Sequence, residues 1–272
     1  YTVSDGTATD TAQIKITILG ADNSAPVARN DVGVISEDST LTVSDGDNEN
    51  ETGDSGTTYN ATGEHSGDVI NTSSTTHYDT DADGDTIVVS SVRTGSVEGS
   101  GTAGTLGQAL TGTYGQLTLN SNGSYTYVAN QTAADALDAG DTEDDVFNYT
   151  ISDGNGGTDI GTITITVIGI NDAPVAQDDV GVIAEGSTLT VANSANANVS
   201  GSYDATGEHS GDVIDTSSSS HTDSDADASS SLSITHVKLS GGSNSTVASS
   251  SSYNSNGTSI TGPYGTLTIG AD

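Results

Sequence analysis

Apolar residues recur at every second position in short runs along this chain. The runs lie at 32–35, 41–43, 86–92, 116–120, 124–128 and 146–152. A last one alternates Ile163, Ile165 and Val167 with Thr164 and Thr166. Period-two patterning predicts half-buried β-strands. Gly- and Asn-rich segments separate the runs. Asn122-Gly123 predicts a tight hairpin, and Asp153-Gly154-Asn155-Gly156-Gly157 predicts the turn between the last two strands. Residues 132–137 predict one helical turn. Seven short antiparallel strands with such turns predict an all-β fold, an immunoglobulin-like β-sandwich. The strict alternation argues against disorder, despite low hydrophobicity and high charge.

The pattern repeats. Ala25-Pro26-Val27-Ala28 returns 148 residues later as Ala173-Pro174-Val175-Ala176, and Asp31-Val32-Gly33-Val34-Ile35 returns as Asp179-Val180-Gly181-Val182-Ile183. The opening Tyr1-Thr2-Val3-Ser4-Asp5-Gly6 matches Tyr149-Thr150-Ile151-Ser152-Asp153-Gly154. Self-similarity at a fixed period predicts tandem units, and this period is the length of one ordinary domain. Residues 1–20 are expected to be the C-terminal hairpin of a preceding repeat, 21–170 a complete β-sandwich repeat, and 171–272 the N-terminal part of a following one. The second copy lacks a counterpart of residues 123–148, and the chain contains no Met. It therefore reads as a window on a longer chain. Residues 45–58, acidic and Gly-rich, read as a decorating loop, and residues 240–258 as a flexible surface loop.

Composition narrows the partners. With 38 acidic against 4 basic residues the formal net charge is −34. Nucleic-acid binders are basic, so that class is excluded, as is unaided docking on anionic lipid. No apolar run is long enough to span a bilayer, so no membrane insertion is expected in these residues. So acidic a surface repels itself, and compaction calls for bound cations or high salt. There is no Cys. Disulfides are thereby excluded, which leaves metal as the staple in an exported protein.

The most chemically specific segment is Asp79-Thr80-Asp81-Ala82-Asp83-Gly84-Asp85. Alternate carboxylates on a tight turn can converge as the hard oxygen ligands that Ca²⁺ requires. The opening spacing is that of an EF-hand loop. However, its twelfth position is Ser90 and no flanking helices are predicted, so only oxygen-rich calcium binding survives. The linkers Asp22-Asn23-Ser24-Ala25-Pro26 and Asn171-Asp172-Ala173-Pro174 add side-chain oxygens. In a seven-strand up-and-down sandwich, residues 79–85 and 153–155 fall at the N-terminal end and should face Asp22 and Asn23. Glu37, Asp38 and residues 141–145 fall at the other end and should face Asn171 and Asp172, joined by Asp223, Asp225 and Asp227 of the next copy. The candidate metal ligands are therefore Asp22, Asn23, Glu37, Asp79, Asp81, Asp83, Asp85, Asp141, Asp153, Asn171, Asp172, Asp223, Asp225 and Asp227. Solvated acidic turns are the plain alternative. His65, His77, His209 and His221 sit among carboxylates and invite a zinc reading; polar packing of a loop is preferred for them. No Ser–His–Asp spacing, Cys nucleophile or phosphate loop is present, and both copies carry similar acids. No enzymatic activity is expected.

Taken in order, the 79–85 segment, Tyr114-Gly115-Gln116-Leu117-Thr118-Leu119, Asn122-Gly123-Ser124-Tyr125-Thr126-Tyr127, the stretch from Phe147 to Gly157 and the Asn171-Asp172-Ala173-Pro174 linker resemble the VCBS-type, cadherin-like repeats of large bacterial RTX-type surface adhesins. The resemblance implies tandem calcium-binding sandwiches and type I secretion from a Gram-negative cell. It also implies an extracellular or cell-surface location and a part in attachment or biofilm. The implied partners are neighbouring repeats of the same chain and an unidentified surface ligand. This sequence departs from the pattern in its long 59–77 insertion. It departs again where Ala228 and Ser229 replace the turn Gly and fourth Asp, so binding there should be weaker or differently shaped. The main expectation is a calcium-stiffened stalk segment of a long secreted adhesin. Two others stand beside it. One is a subunit of an extracellular filament or sheath built by strand exchange between identical subunits. The other is acidity that adapts the surface to saline surroundings without bound metal.

Overall fold

The computed structural model describes residues 1–18, 20, 23–47, 64–70, 77–193, 195, 207–214, 221–252 and 254–272. Two strands, β1 (Thr2–Ser4) and β2 (Thr9–Thr11), form an N-terminal hairpin. Among the described residues, nine strands build the central unit: β3 (Asp31–Ser36), β4 (Thr40–Val43), β5 (Glu64–His65), β6 (Val88–Thr94), β7 (Leu110–Thr111), β8 (Gln116–Leu119), β9 (Tyr125–Val128), β10 (Thr142–Ser152) and β11 (Thr158–Ile168). A single-turn helix, α1 (Thr132–Asp135), joins β9 to β10. After residue 170 come three short pairs: β12 (Gly181–Val182) with β13 (Glu208–His209), β14 (His236–Val237) with β15 (Ser245–Thr246), and β16 (Thr258–Thr261) with β17 (Thr266–Ile269).

The central unit is a two-layer sandwich. One sheet runs β5-β3-β11-β10-β6 and the other β4-β9-β8-β7. Phe147, Tyr149, Ile151, Ile163, Ile165 and Val167 of the first sheet face Leu41, Val43, Leu117, Leu119, Tyr125 and Tyr127 of the second, all in one buried core. Tyr127 meets Phe147 edge-on, with ring centroids 6.3 Å apart, the arrangement aromatic quadrupoles favour. Gly33 sits in mid-strand because a Cβ there would lie 2.8 Å from Ile165 Cδ1 and 2.9 Å from Leu41 Cδ2.

Three features differ from the sequence expectation. First, the ladder is not wholly antiparallel, since β3 pairs with β11 in parallel. Seven alternating strands make the first and last point the same way, so their adjacency must be parallel. Secondly, β5 and β7 are additional strands of two residues each. Thirdly, Asn122-Gly123 lies in the turn of the β8–β9 hairpin as expected, but the turn is longer than these two residues. Only Gly123 takes a positive φ, +93°, and the loop spans residues 120–124, with Asn122 Oδ1 accepting from Ser124 Oγ at 2.8 Å. The expected flexible loop at 240–258 contains β15 and the buried Val247. Of the 45–58 loop, only residues 45–47 are described.

The flanking segments expose what the central unit buries. Ile14, Ile16 and Ile18 are 71%, 79% and 89% exposed, while their counterparts Ile163, Ile165 and Val167 are fully buried. Ile183 and Leu267 are half-exposed where Ile35 and Leu117 are buried. The counterparts of β9, β10 and β11 are not among the residues after 170.

Candidate metal centres

The N-terminal end of the sandwich gathers the loop before β6 and the β10–β11 turn. Asp81 Oδ1 accepts the backbone N–H groups of Asp83 (2.8 Å) and Asp85 (3.2 Å), which folds the acidic loop around one carboxylate. Gly84, at φ +76°, lets the loop close. Asp153 Oδ1 does the same across the β10–β11 turn, accepting from Asn155 N (2.8 Å) and Gly157 N (3.0 Å). The linker then clips on. Asn23 Nδ2 donates to Asp153 Oδ2 at 2.7 Å, Ser24 N to Asp83 Oδ2 at 2.7 Å, and Val27 and Thr80 exchange backbone hydrogen bonds. Asn155 Nδ2 donates to Asp85 Oδ2 at 2.8 Å.

The result is a carboxylate triad. One oxygen each of Asp81, Asp85 and Asp153 lie within 4.8 Å of one another. Ligand oxygens about 2.3–2.6 Å from a shared Ca²⁺ span such separations. Asp81 Oδ2 is buried and makes no hydrogen bond. A buried polar atom without a partner is costly, and a carboxylate oxygen in that state suits a cation. The Asn23 amide and the turn N–H groups hold the Asp153 carboxyl below the usual range, so it stays ionised.

Asp79 lies deeper, 2% exposed, and is not part of the triad. Its Oδ1 accepts Arg29 N at 2.6 Å, while its Oδ2 is buried without a partner. Burial pushes its pKa up to about 7, and the carboxylates of Asp159 and Asp68 add to the shift. Behind it Tyr149 Oη lies 2.6 Å from Asp31 Oδ2, 2.8 Å from Arg29 O and 3.2 Å from Val69 O. A hydroxyl has one hydrogen to donate. Three acceptors thus surround one donor, and burial pushes the pKa of Asp31 well above the ordinary carboxylate range.

The opposite end repeats the linker contacts around residues 170–177. Asp172 N donates to Asp227 Oδ2 (3.0 Å), Gln177 N to Asp223 Oδ1 (2.7 Å), and Asp227 N to Asp225 Oδ1 (3.0 Å). Val175 and Ser224 exchange backbone hydrogen bonds as Val27 and Thr80 do. From the central unit, Glu37 is 1% exposed. Its Oε1 accepts Ile170 N at 2.5 Å, and its Oε2 is buried without a partner. Asp227 Oδ1 is likewise partnerless. Burial, then the charges of Asp172, Asp227 and Asp38, raise the pKa of Glu37. Burial and Asp227 raise that of Asp172. Glu37 and Asp227 thus both bond linker backbone and each keep one partnerless oxygen, but with Asp172 they do not form a cluster as tight as the N-terminal triad.

Other expected residues behave differently. Asp141 is exposed and engages the linker through its carbonyl, which accepts Gly169 N at 2.9 Å. Asn171 Nδ2 donates to Asp172 O at 2.5 Å. Asp22 lies outside the described residues. In the second acidic loop Ala228 keeps a negative φ, unlike Gly84. Ser229, in the place of Asp85, bonds Asp138 of the central unit through its N–H (2.9 Å) and its hydroxyl. The second loop therefore has a different shape and one carboxylate fewer. No histidine joins a metal-competent group among the described residues. His65 and His209 each accept a backbone N–H two residues on, at 3.1 Å, and His77 and His221 meet backbone carbonyls.

Sequence reasoning placed Asn155 and Ser24 at the N-terminal end without counting them as ligands, and it did not single out Asp31 or Tyr149. Asp31 and Ser66 recur as Asp179 and Ser210, with the same serine-to-aspartate hydrogen bond in both copies (3.2 and 2.9 Å). That recurrence was the available signal.

The family model for the bacterial cadherin-like domain matches residues 23–169. The chain belongs to that family. The matched span runs from the first linker residue of the acidic cluster to the end of β11, so it takes in both the sandwich and the triad. A relative is RapA2 of Rhizobium johnstonii, a calcium-binding lectin, 37% identical over 67 residues. That match covers 24% of this chain and 28% of the relative. No helix among the described residues is long and apolar enough to cross a membrane.

Proposed function

We propose that this chain is a repeat segment of a long, secreted bacterial surface adhesin, stiffened by calcium at the joints between repeats. The reading divides the chain into a closing hairpin (1–20), a complete repeat (21–170) and the front of a following one (171–272). The observation that carries it is the set of buried, partnerless carboxylate oxygens on Glu37, Asp79, Asp81 and Asp227 beside two linkers. Asp81, Asp85 and Asp153, with Asp83 and Asn23 close by, would hold one ion. Glu37, Asp172, Asp225 and Asp227 would hold another. A bound divalent cation supplies charge neutralisation and a cross-link between elements that otherwise repel. Its binding to the folded state alone stabilises that state by mass action. Extracellular calcium modules bind on the order of 10⁻⁴–10⁻³ M, so stiffness would follow external calcium. Location on the cell surface, type I export and a role in biofilm belong to the same proposal.

The test is calorimetric titration of the chelator-stripped chain with CaCl₂, beside melting curves in CaCl₂ and in EGTA. Saturable binding and a higher melting temperature in calcium are expected. Absence of both, or equal stabilisation by NaCl alone, would favour simple salt adaptation.

A second element concerns the surface ligand. RapA2 is a lectin by name, which supports a saccharide as the partner of this chain. The exposed Ile14, Ile16 and Ile18 favour a further reading, in which strands pair between identical subunits of a filament. Regular fibres that grow from the purified chain would support it.

A further inference from the structure

A polar cleft of about 460 Å³ opens on the flank of the central unit, between the end of β6 and the turn after β7. Thr94, Ser96, Thr102, Thr111, Thr113 and Asp144 line it. We propose that this cleft binds a neutral saccharide unit. The proposal rests on the saccharide reading above and adds the site and the sugar class.

Both walls are held from beneath by β10. Asn148, 2% exposed, shares its Nδ2 among Gly95 O (2.9 Å), Ser100 O (3.2 Å) and Thr94 O (3.4 Å), and its Oδ1 accepts Gly99 N at 3.1 Å. This clamps the 94–102 loop. Asp145, 3% exposed, does the same for the opposite wall. Its carboxylate accepts Thr113 N, Tyr114 N and Gly115 N at 3.0–3.1 Å and the Tyr127 hydroxyl at 2.9 Å. A Cβ on Gly112 would fall 2.3 Å from Asp145 Oδ2, so the wall admits only glycine there. Two buried polar side chains of one strand therefore preorganise a single cleft. Preorganisation lowers the ordering cost of binding.

The lining selects the ligand. Clefts for drug-like molecules, about 300–1,000 Å³, are mainly apolar; this one presents five hydroxyls. Each is both donor and acceptor, as sugar hydroxyls are. Thr94 Oγ1 already accepts Thr102 N (3.0 Å), and Thr111 Oγ1 accepts Gln116 Nε2 (3.2 Å). Each still has its hydrogen to donate. The cleft has no Lys or Arg in its lining and carries the Asp144 carboxylate, so uronates and sulfated sugars are repelled. A cation is not the occupant, because Asp145 is saturated by four donors and Asp144 Oδ1 accepts Thr166 Oγ1 at 2.7 Å. An added peptide strand would need apolar side-chain pockets, and Val146 is the one apolar lining residue.

The experiment uses the full chain in CaCl₂. Saturation-transfer NMR screens neutral gluco-, manno- and galacto-oligosaccharides against polygalacturonate and alginate oligomers. Ser96→Tyr and Thr113→Tyr fill the cleft from opposite walls, and calcium-dependent melting checks that each variant folds. Binding of a neutral oligosaccharide that weakens at least tenfold in both variants, with melting unchanged, is the expected result. Neutral-sugar binding that survives both variants overturns the cleft but leaves the saccharide reading. Binding of uronate oligomers alone overturns the sugar class. No binding of any sugar overturns both.

Discussion

Asp79 is a carboxyl group that folding places where neither of its charge states is comfortable. Ionised, it has one oxygen buried without a partner; protonated, it gives up the charge the acidic loop would offer a cation. Its folded pKa of about 7 stands above the ordinary 3.8. A group raised in this way stabilises the fold below its unfolded pKa and loses that contribution as pH rises through the folded value. In EGTA, the melting temperature should therefore fall by several degrees between about pH 4 and pH 7, and Asp79→Asn should flatten that slope. Scanning calorimetry across pH checks it. At the triad, Asp81→Asn removes the carboxylate that both folds the loop and leaves an oxygen vacant. Calcium affinity at that joint should drop on the order of tenfold, read by titration. Deeper in, Tyr149→Phe removes the hydroxyl that Asp31 meets. The cost should be about 1–3 kcal/mol in chemical denaturation, with no loss of calcium affinity.

At the scale of elements, the acidic loop and the linker form a recurring clip: one backbone pair, one N–H to a carboxylate, one asparagine or aspartate beside the turn. The clip tolerates Ala228 in place of Gly84 only by changing the turn. Gly84→Ala, which keeps φ +76° and adds a Cβ, should cost roughly 1–2 kcal/mol and weaken calcium binding at the first joint, measurable in the same titration. The seven principal strands were legible because each alternates apolar and polar residues and ends at Gly, Asn or Asp. Strand parity alone also placed Asp83 and Asp153 beside the first linker and Glu37 beside the second, whereas Asp144 and Asp145, expected to face the second, bond Thr166 and the 113–115 turn instead. β5 was not legible. Glu64 and His65 carry no apolar alternation, and they form a strand only because the edge of β3 is there to pair with. The parallel β3–β11 pair is tertiary, invisible to local pattern. Within the acid list, sequence could not separate Asp79, which turns inward, from Asp81 and Asp85, which meet Asp153 across a distance of some seventy residues in the chain. Asp141 bonds Gly169 through its backbone carbonyl and its side chain is exposed.

For the whole molecule, the charge of −34 makes the repeats poor neighbours unless something intervenes between them. Among the described residues, the hydrogen bonds between the central unit and the acidic loop of the second copy are polar ones: Ala228 N to Ala136 O, and Ser229 to Asp138. Contacts of that kind do not by themselves fix the angle between two repellent bodies. The joint is proposed to be rigid when divalent ions hold Glu37, Asp172 and Asp227 together, and to bend freely when those carboxylates are bare. The most direct measurement is small-angle X-ray scattering of the full chain at matched ionic strength, in millimolar CaCl₂ and in EGTA. A longer maximum dimension and a rod-like profile in calcium, lost in EGTA and restored on adding calcium back, is the predicted result. Identical profiles in both buffers would contradict the account.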